Sequence, residues 1–386
     1  VRVAFIITRI DTGWIGGANY LTNLLASIAA LPDRQFETVL IVPPDGADMA
    51  RRFAADEVVV TPLMKHRGLL RMAGVACQRL LGSNPVVAWL ARRHGIDVFS
   101  HTVPFGPRSP LKTICWIPDF QHVHLPDLFS PQERGARDRS DARFVREGSV
   151  VLLSSGDAQG DLIRLYPEAE AKSRVLQFVS GLASQAPLRP LEELARDYAL
   201  TGPYFHLPNQ LWKHKNHRLV VEALALLARE GLAPTVICTG HTKDFRHPGF
   251  ADELSAYARE LNVADRFRIC GLVPYADVAS LMHHSVAVIN PSLFEGWSTT
   301  VEEAKSTGKR ILLSDIAVHR EQDPPRASFF ATQDPASLAA AMRQALADHD
   351  PQGEIAHTNA AEAMLATRIE GFARNFQTIV LEAAQK

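Results

Sequence analysis

Residues 286–304 read Val286-Ala287-Val288-Ile289-Asn290-Pro291-Ser292-Leu293-Phe294-Glu295-Gly296-Trp297-Ser298-Thr299-Thr300-Val301-Glu302-Glu303-Ala304. The opening apolar run, closed by Asn290-Pro291, has the length and continuity of a strand buried on both faces. Gly296 lets the backbone come close to a neighbour or a ligand. Ser298, Thr299 and Thr300 are N-cap candidates, and Thr299-x-x-Glu302 and Thr300-x-x-Glu303 both fit a capping box. Strand, glycine loop and helix in this order form the repeating unit of an open α/β sheet. Such sheets bind ligands beyond the carboxyl ends of their strands. A helix N-terminus at that place favours anions through its free N–H groups and dipole. Glu295 lies before the helix and Glu303 about a turn inside it, two staggered acceptors for two sets of sugar hydroxyls. On the plainer alternative, Glu302 or Glu303 is only a cap.

The unit recurs along the chain. Residues 1–7 read as a buried strand, 11–17 as a glycine-bearing loop, and 20–31 as a helix with Leu21, Leu24, Leu25 and Ile28 on one face. Further strands are expected at 38–42, 58–60, 97–99, 112–117 and 149–153. The alternation restarts at 204–207, with strands at 235–238, 267–270, 288–290 and 311–314 and helices at 216–229 and 252–261. Alternating strands and helices predict parallel, doubly wound sheets. The proline-bearing stretch 183–202 reads as a linker between two α/β units, 1–182 and 203–366. A final helix, 367–386, falls after the last expected element of the second unit.

Composition sets the outer limits. A chain of 386 residues allows two or three domains, and 46% hydrophobic against 22% charged residues is ordinary for a soluble globular protein. A net charge of -1 argues against a dedicated nucleic-acid binder. Cys77, Cys115, Cys238 and Cys270 lie far apart without C-x-x-C spacing, which points away from zinc or thioredoxin chemistry and toward a reducing, cytoplasmic setting. No apolar run reaches a membrane span, and the opening segment reads as a strand rather than a leader. Neither G-x-x-x-x-G-K-[ST] nor G-x-G-x-x-G is present, which sets aside P-loop kinases and dinucleotide dehydrogenases. Asp348-x-Asp350 closes a helix before Pro351 and reads as a helix end rather than a metal site. His283-His284 adjoin on a helix and face different ways.

Glu295 and Glu303, with seven residues between them after Pro291-Ser292-Leu293-Phe294, resemble the E-x7-E motif of retaining glycosyltransferases of family 4 (glycosyltransferase group 1). Ala304, the run Gly308-Lys309-Arg310-Ile311-Leu312-Leu313-Ser314-Asp315 and Glu321 also resemble that family. The resemblance implies a GT-B fold, with two Rossmann-like doubly wound lobes facing a cleft and the C-terminal helix crossing back to the first lobe. The first lobe would be the acceptor side and the second the donor side. It implies retaining transfer of a hexosyl group from a nucleotide-diphosphate sugar to a saccharide or lipid-linked saccharide, in cell-surface polysaccharide synthesis. No cofactor and no metal are implied.

The same resemblance implies the site. Glu295 would orient the donor sugar, and Glu303 would hold the ribose. Lys215 in Lys213-His214-Lys215-Asn216 matches a lysine that contacts the donor diphosphate, where a cation offsets charge on the leaving group. Ser298, Thr299, Gly296, Gln210, Asn216 and Val273 complete the expected donor site. Gln210 stands where many members have arginine, so Lys213 or Arg9 are substitute cations. Gly16 and Gly17, with Asp11 and Asn19 nearby, would form the phosphate and acceptor loop. In Pro118-Asp119-Phe120-Gln121-His122-Val123-His124, Asp119 is retained while proline takes the family's histidine position, and His122 is the substitute contact. The rival readings are a nucleotide-sugar epimerase of GT-B architecture and a catalytically silent sugar-nucleotide-binding protein.

One stretch bears on partners. From Val58 to Ile96 there is no acidic residue, while Lys65, Arg67, Arg71, Arg79, Arg92 and Arg93 interleave with apolar residues. Such a basic amphipathic surface, residues 65–93, suits peripheral contact with the inner face of a membrane. The ordinary expectation is a solvated helix whose apolar side packs inward.

Overall fold

The continuous β-branched runs become the centres of two sheets. In the computed structural model, which describes residues 1–8, 15–181 and 186–386, thirteen strands form one seven-stranded and one six-stranded sheet. The first contains β1 (Arg2–Ile6), β2 (Glu37–Val42), β3 (Glu57–Val60), β4 (Val98–Ser100), β5 (Lys112–Ile117), β6 (Val150–Leu153) and β7 (Ser173–Val175) in the order β3-β2-β1-β4-β5-β6-β7. The second contains β8 (Tyr204–Leu207), β9 (Thr235–Thr239), β10 (Phe267–Gly271), β11 (Val288–Asn290), β12 (Ile311–Ser314) and β13 (Ala327–Phe330) in the order β10-β9-β8-β11-β12-β13. Every neighbouring pair is parallel. Parallel strands need crossovers and are covered on both faces, so β4, β6, β8, β9, β11 and β12 are buried along their whole length.

In both sheets the strand order reverses once, between β1 and β4 and between β8 and β11. Crossovers leave a reversal in opposite directions and open a crevice at the carboxyl ends of the two strands. The reversal in the second sheet therefore brings the loop after β8 beside the loop after β11. β7 and β13 have no counterpart among the expected strands. Each is short and lies at a sheet edge, with one neighbour only.

The chain divides into two compact units, Val1–Val179 with Thr367–Lys386, and Ser180–Ala366. In the first, Phe372, Phe376, Ile379 and Val380 of the last helix are buried, and Phe376 packs against Phe5 and Phe36. That helix runs Glu354–Gln385, well ahead of the expected start at 367. In the second unit, Arg189 bonds Asp277, Glu193 and Asp197, which ties down part of the stretch read as a linker.

Two local expectations are corrected. The first long helix spans Ile15–Ala29, so Gly16 and Gly17 lie in its first turn rather than in the loop before it. The helix after β11 spans Thr299–Thr307 with Ser298 as N-cap, its hydroxyl accepting from the Val301 N–H. Its third residue is therefore Val301, which has no carboxylate, and neither capping box forms.

Candidate active site

The crevice at β8 and β11 collects the sequence's main polar candidates. After β8 the chain runs through Pro208 to Asn209 and Gln210, and Gly240, at the end of β9, packs against that backbone. Gly240 has φ +141°, and a Cβ there would lie 2.6 Å from the Asn209 carbonyl oxygen. The loop continues into a tight turn, Lys213–Lys215, and Asn216 in the left-handed region (φ 55°) starts the helix His217–Arg229. Asn216 Nδ2 donates to the Thr332 carbonyl. Lys215 is thereby directed at the loop after β11, where its Nζ lies 2.6 Å from Glu295 Oε1.

A buried network holds that loop. Asn209 Nδ2 donates to Asn290 Oδ1, and Asn290 Nδ2 donates to the Ser298 hydroxyl. Thr300 Oγ1 donates to Asn209 Oδ1. Ser292 Oγ donates to Glu295 Oε1 at 2.7 Å. Gln322 accepts from the Ser298 N–H and donates to Glu302 Oε1, and Lys305 also lies beside Glu302. Glu302 is thus structural. Among the described residues, the N–H groups of Thr299 and Thr300 are left open at the helix N-terminus.

Charge follows from these contacts. Burial alone would raise the Glu295 carboxyl, but the Lys215 ammonium and the hydrogen bonds from Lys215 and Ser292 outweigh it and hold the group at about 2. Glu295 is an anion at neutral pH. Lys215 uses one of three donors on it and keeps two for a phosphate. His214 and His217, on either side, are pushed down to about 3 by burial and are uncharged there. Glu303 differs: burial raises it to about 7, opposed by the hydroxyl of Tyr275, which donates to Oε1 at 2.6 Å.

Tyr275 is absent from the candidates of the sequence. It lies two residues beyond Val273, which is half-buried in the loop after β10, and nothing in local spacing links it to a carboxyl 28 residues on. Gln210 and Thr299 are half-buried at the crevice, and Gly296 lies between Glu295 and the cap. Lys213 is exposed, and its backbone N–H bonds Asp244. Arg9 and Asp11 lie outside the described residues.

The remaining candidates lie in the first unit. Asp119 Oδ1 accepts from the Gln121 N–H at the start of the one-turn helix Gln121–His124. His122 is buried, with Nε2 3.1 Å from Asp138 Oδ1 and 3.9 Å from Asp141 Oδ2, and burial lowers its pKa. His124 bonds Asp161. At the β1/β4 reversal, His101 bonds Tyr20 and Ser100, and Tyr20 stacks on Trp116 with ring centroids 4.6 Å apart. These aromatics lie in separate elements, so no local spacing in the sequence links them.

Two Rossmann-like α/β units of this topology define the GT-B fold, the class to which this chain's architecture belongs. Residues 197–362 match the family described as "Glycosyl transferases group 1", a span that takes in both Lys215 and Glu295. Among solved structures, the chain is similar to Anabaena HepE in complex with UDP and glucose (17% identity, TM-score 0.70, 100% of each chain covered). It is similar also to a glycosyltransferase from Rickettsia africae (13% identity, TM-score 0.68, 99% of this chain and 98% of that one). A third is WaaG, a glycosyltransferase involved in lipopolysaccharide biosynthesis (15% identity, TM-score 0.58, 99% and 98% covered). No curated protein sequence matches the chain.

Proposed function

We propose that the protein is a retaining glycosyltransferase of family 4. It would move a hexosyl group from a nucleotide-diphosphate sugar to a saccharide or lipid-linked saccharide acceptor in cell-surface polysaccharide synthesis. The observation that carries this reading is the 2.6 Å Lys215–Glu295 pair at the β8/β11 reversal, beside the open N-terminus of the helix Thr299–Thr307. The pair and the helix end offer what a departing nucleoside diphosphate needs. Two ammonium hydrogens, two backbone N–H groups and a helix dipole stabilise its growing charge without a metal ion. Glu295 accepts from donor-sugar hydroxyls and fixes the ring, and Glu303 accepts from the ribose. Asp119 and His122 stand on the acceptor side. A bound acceptor hydroxyl attacks the anomeric carbon from the face the diphosphate leaves, the anomeric C–O(phosphate) bond breaks, and the hydroxyl proton passes to the departing diphosphate oxygen, so configuration is kept.

The match to the group 1 family over residues 197–362 supports this reading, as does the likeness to a fold seen with UDP and glucose. The test begins with a thermal-shift comparison of UDP, GDP and dTDP. One of them raises the melting temperature, and its hexose conjugates are then tried as donors, with the anomeric configuration of the product read by NMR. Glu295→Ala and Lys215→Ala each abolish most of the transfer while circular dichroism stays unchanged. Near-wild-type transfer by both variants rules out this site. Interconversion of the donor sugar without any acceptor would assign the protein as an epimerase instead.

A further inference from the structure

The helix Leu69–Leu81 is amphipathic, but its apolar side points away from the protein. Leu69, Met72, Ala73, Ala76 and Leu80 follow the spacing that lines one helical face. That face is in solvent: Leu69 is 86% exposed, Leu80 83% and Met72 57%. The protein side of the helix carries Gly74 and Gln78. A Cβ on Gly74 would lie 2.6 Å from Asn84 Oδ1, and Gln78 Nε2 donates to the Pro104 carbonyl. The expected inward packing of the leucines is therefore reversed. The next helix, Pro85–His94, adds Trp89 at 54% exposure, with exposed Arg92 and Arg93 three and four residues on and so on its side.

Charge decides what covers this face. The segment from Val58 to Ile96 has no Asp or Glu, and Lys65, Arg67, Arg79, Arg92 and Arg93 are exposed within it. A second copy seated by two-fold symmetry would set these cations against one another. A neutral apolar partner would leave them unused. An anionic bilayer uses both features: leucine and methionine enter the acyl boundary, tryptophan takes the interface, and the cations meet the headgroups. Among the described residues, no helix is long and apolar enough to cross a membrane, so the contact is interfacial.

We propose that the surface formed by Leu69–Leu81 and Pro85–His94 docks the first unit on an anionic lipid bilayer. The proposal is independent of the donor-site reading, because Lys215 and Glu295 lie in the other unit.

The test is flotation with vesicles of phosphatidylcholine containing about 30 mol % phosphatidylglycerol, against phosphatidylcholine alone. The whole chain floats with the anionic vesicles at low salt and much less with the neutral ones. Trp89 emission moves to shorter wavelength on binding, and Trp89→Phe removes that change. Leu69→Asp with Leu80→Asp abolishes flotation. Arg79→Gln with Arg92→Gln weakens it by about 30-fold, the product of two surface cations. These side chains are exposed, and unchanged circular dichroism and melting confirm that the variants fold. Absence of flotation at low salt overturns the proposal, and so does equal flotation with neutral vesicles. A dimer in solution that Leu69→Asp and Leu80→Asp dissolve, with no flotation of the wild type, overturns it in favour of a second copy.

Discussion

Replacing Lys215 by methionine separates the electrostatic role of the pair from the volume it fills. Glu295 sits at about 2, whereas an ordinary glutamate titrates at 4.5, and that gap corresponds to ~3 kcal/mol favouring the folded anion. The depressed value makes the contribution fully present above pH 4.5 and progressively lost as pH falls toward 2. Without Lys215 the carboxylate stays buried with the weaker support of His319 and the Ser292 hydroxyl, so Lys215→Met removes this ~3 kcal/mol at pH 7. In a unit of this size that is a fall of about 6–12 °C in melting temperature. The deficit shrinks near pH 3, where the unfolded glutamate is already protonated while the folded carboxyl still holds its charge against that proton uptake. Glu295→Gln in the Lys215→Met background restores part of the loss, because the stranded charge is gone. Calorimetry of the wild type, both single variants and the double variant between pH 3 and 8 measures this coupling. All three variants lose transfer, since the ammonium is also the group assigned to the diphosphate. Strictly additive single and double effects, or a deficit that does not change with pH, would refute the pairing argument.

The other predictions concern groups around the pair. Glu303 sits at about 7 because it is buried, and ribose hydroxyls donate best to its anion. Affinity for the matching nucleotide therefore rises with pH up to about 7, by at most about tenfold per pH unit, and levels off above it, read by titration calorimetry. Tyr275→Phe removes a hydrogen bond that favours the anion and moves this midpoint to higher pH; an unchanged midpoint contradicts the assignment. The same raised value makes Glu303 cost stability as pH rises from 4.5 to 7, which Glu303→Gln abolishes in pH-dependent melting. Gly240→Ala drives a methyl into the Asn209 carbonyl at a positive φ; the variant melts lower and binds nucleotide more weakly, because the loop carrying Lys215 moves. Ser298→Ala loses the cap and the Asn290 contact, about 1 kcal/mol in denaturant unfolding, and loosens the helix end offered to phosphate.

The central strands were legible because burial on both faces demands uninterrupted apolar runs. The expected ranges 112–117, 204–207, 288–290 and 311–314 coincide with strands of the structure. β7, Ser173-Arg174-Val175, and β13, Ala327-Ser328-Phe329-Phe330, were not legible, since an edge strand is covered less and needs fewer apolar residues. Local pattern also misassigned the cap. Thr300 fits a capping box by spacing, but its hydroxyl is drawn to Asn209, 91 residues away, and Ser298 takes the cap. The Lys215–Glu295 pair spans 80 residues, so no spacing rule reveals it; each half was legible as a residue at a strand end, and topology joins them. The outward face of Leu69–Leu81 was hidden for a related reason. Amphipathic spacing reports that a helix has an apolar side, and not which way that side faces.

The first unit closes with Thr367–Lys386, residues made after the whole of Ser180–Ala366. Until the last helix is made, Val1–Val179 lacks the buried Phe372, Ala373, Phe376, Ile379, Val380 and Ala383 that complete its core. A stop codon shortly after residue 366 would spare the unit just made and leave the older one with an open core. Quality control acting on such a truncated chain would meet its exposed apolar surface near the N-terminus, far in sequence from the lesion.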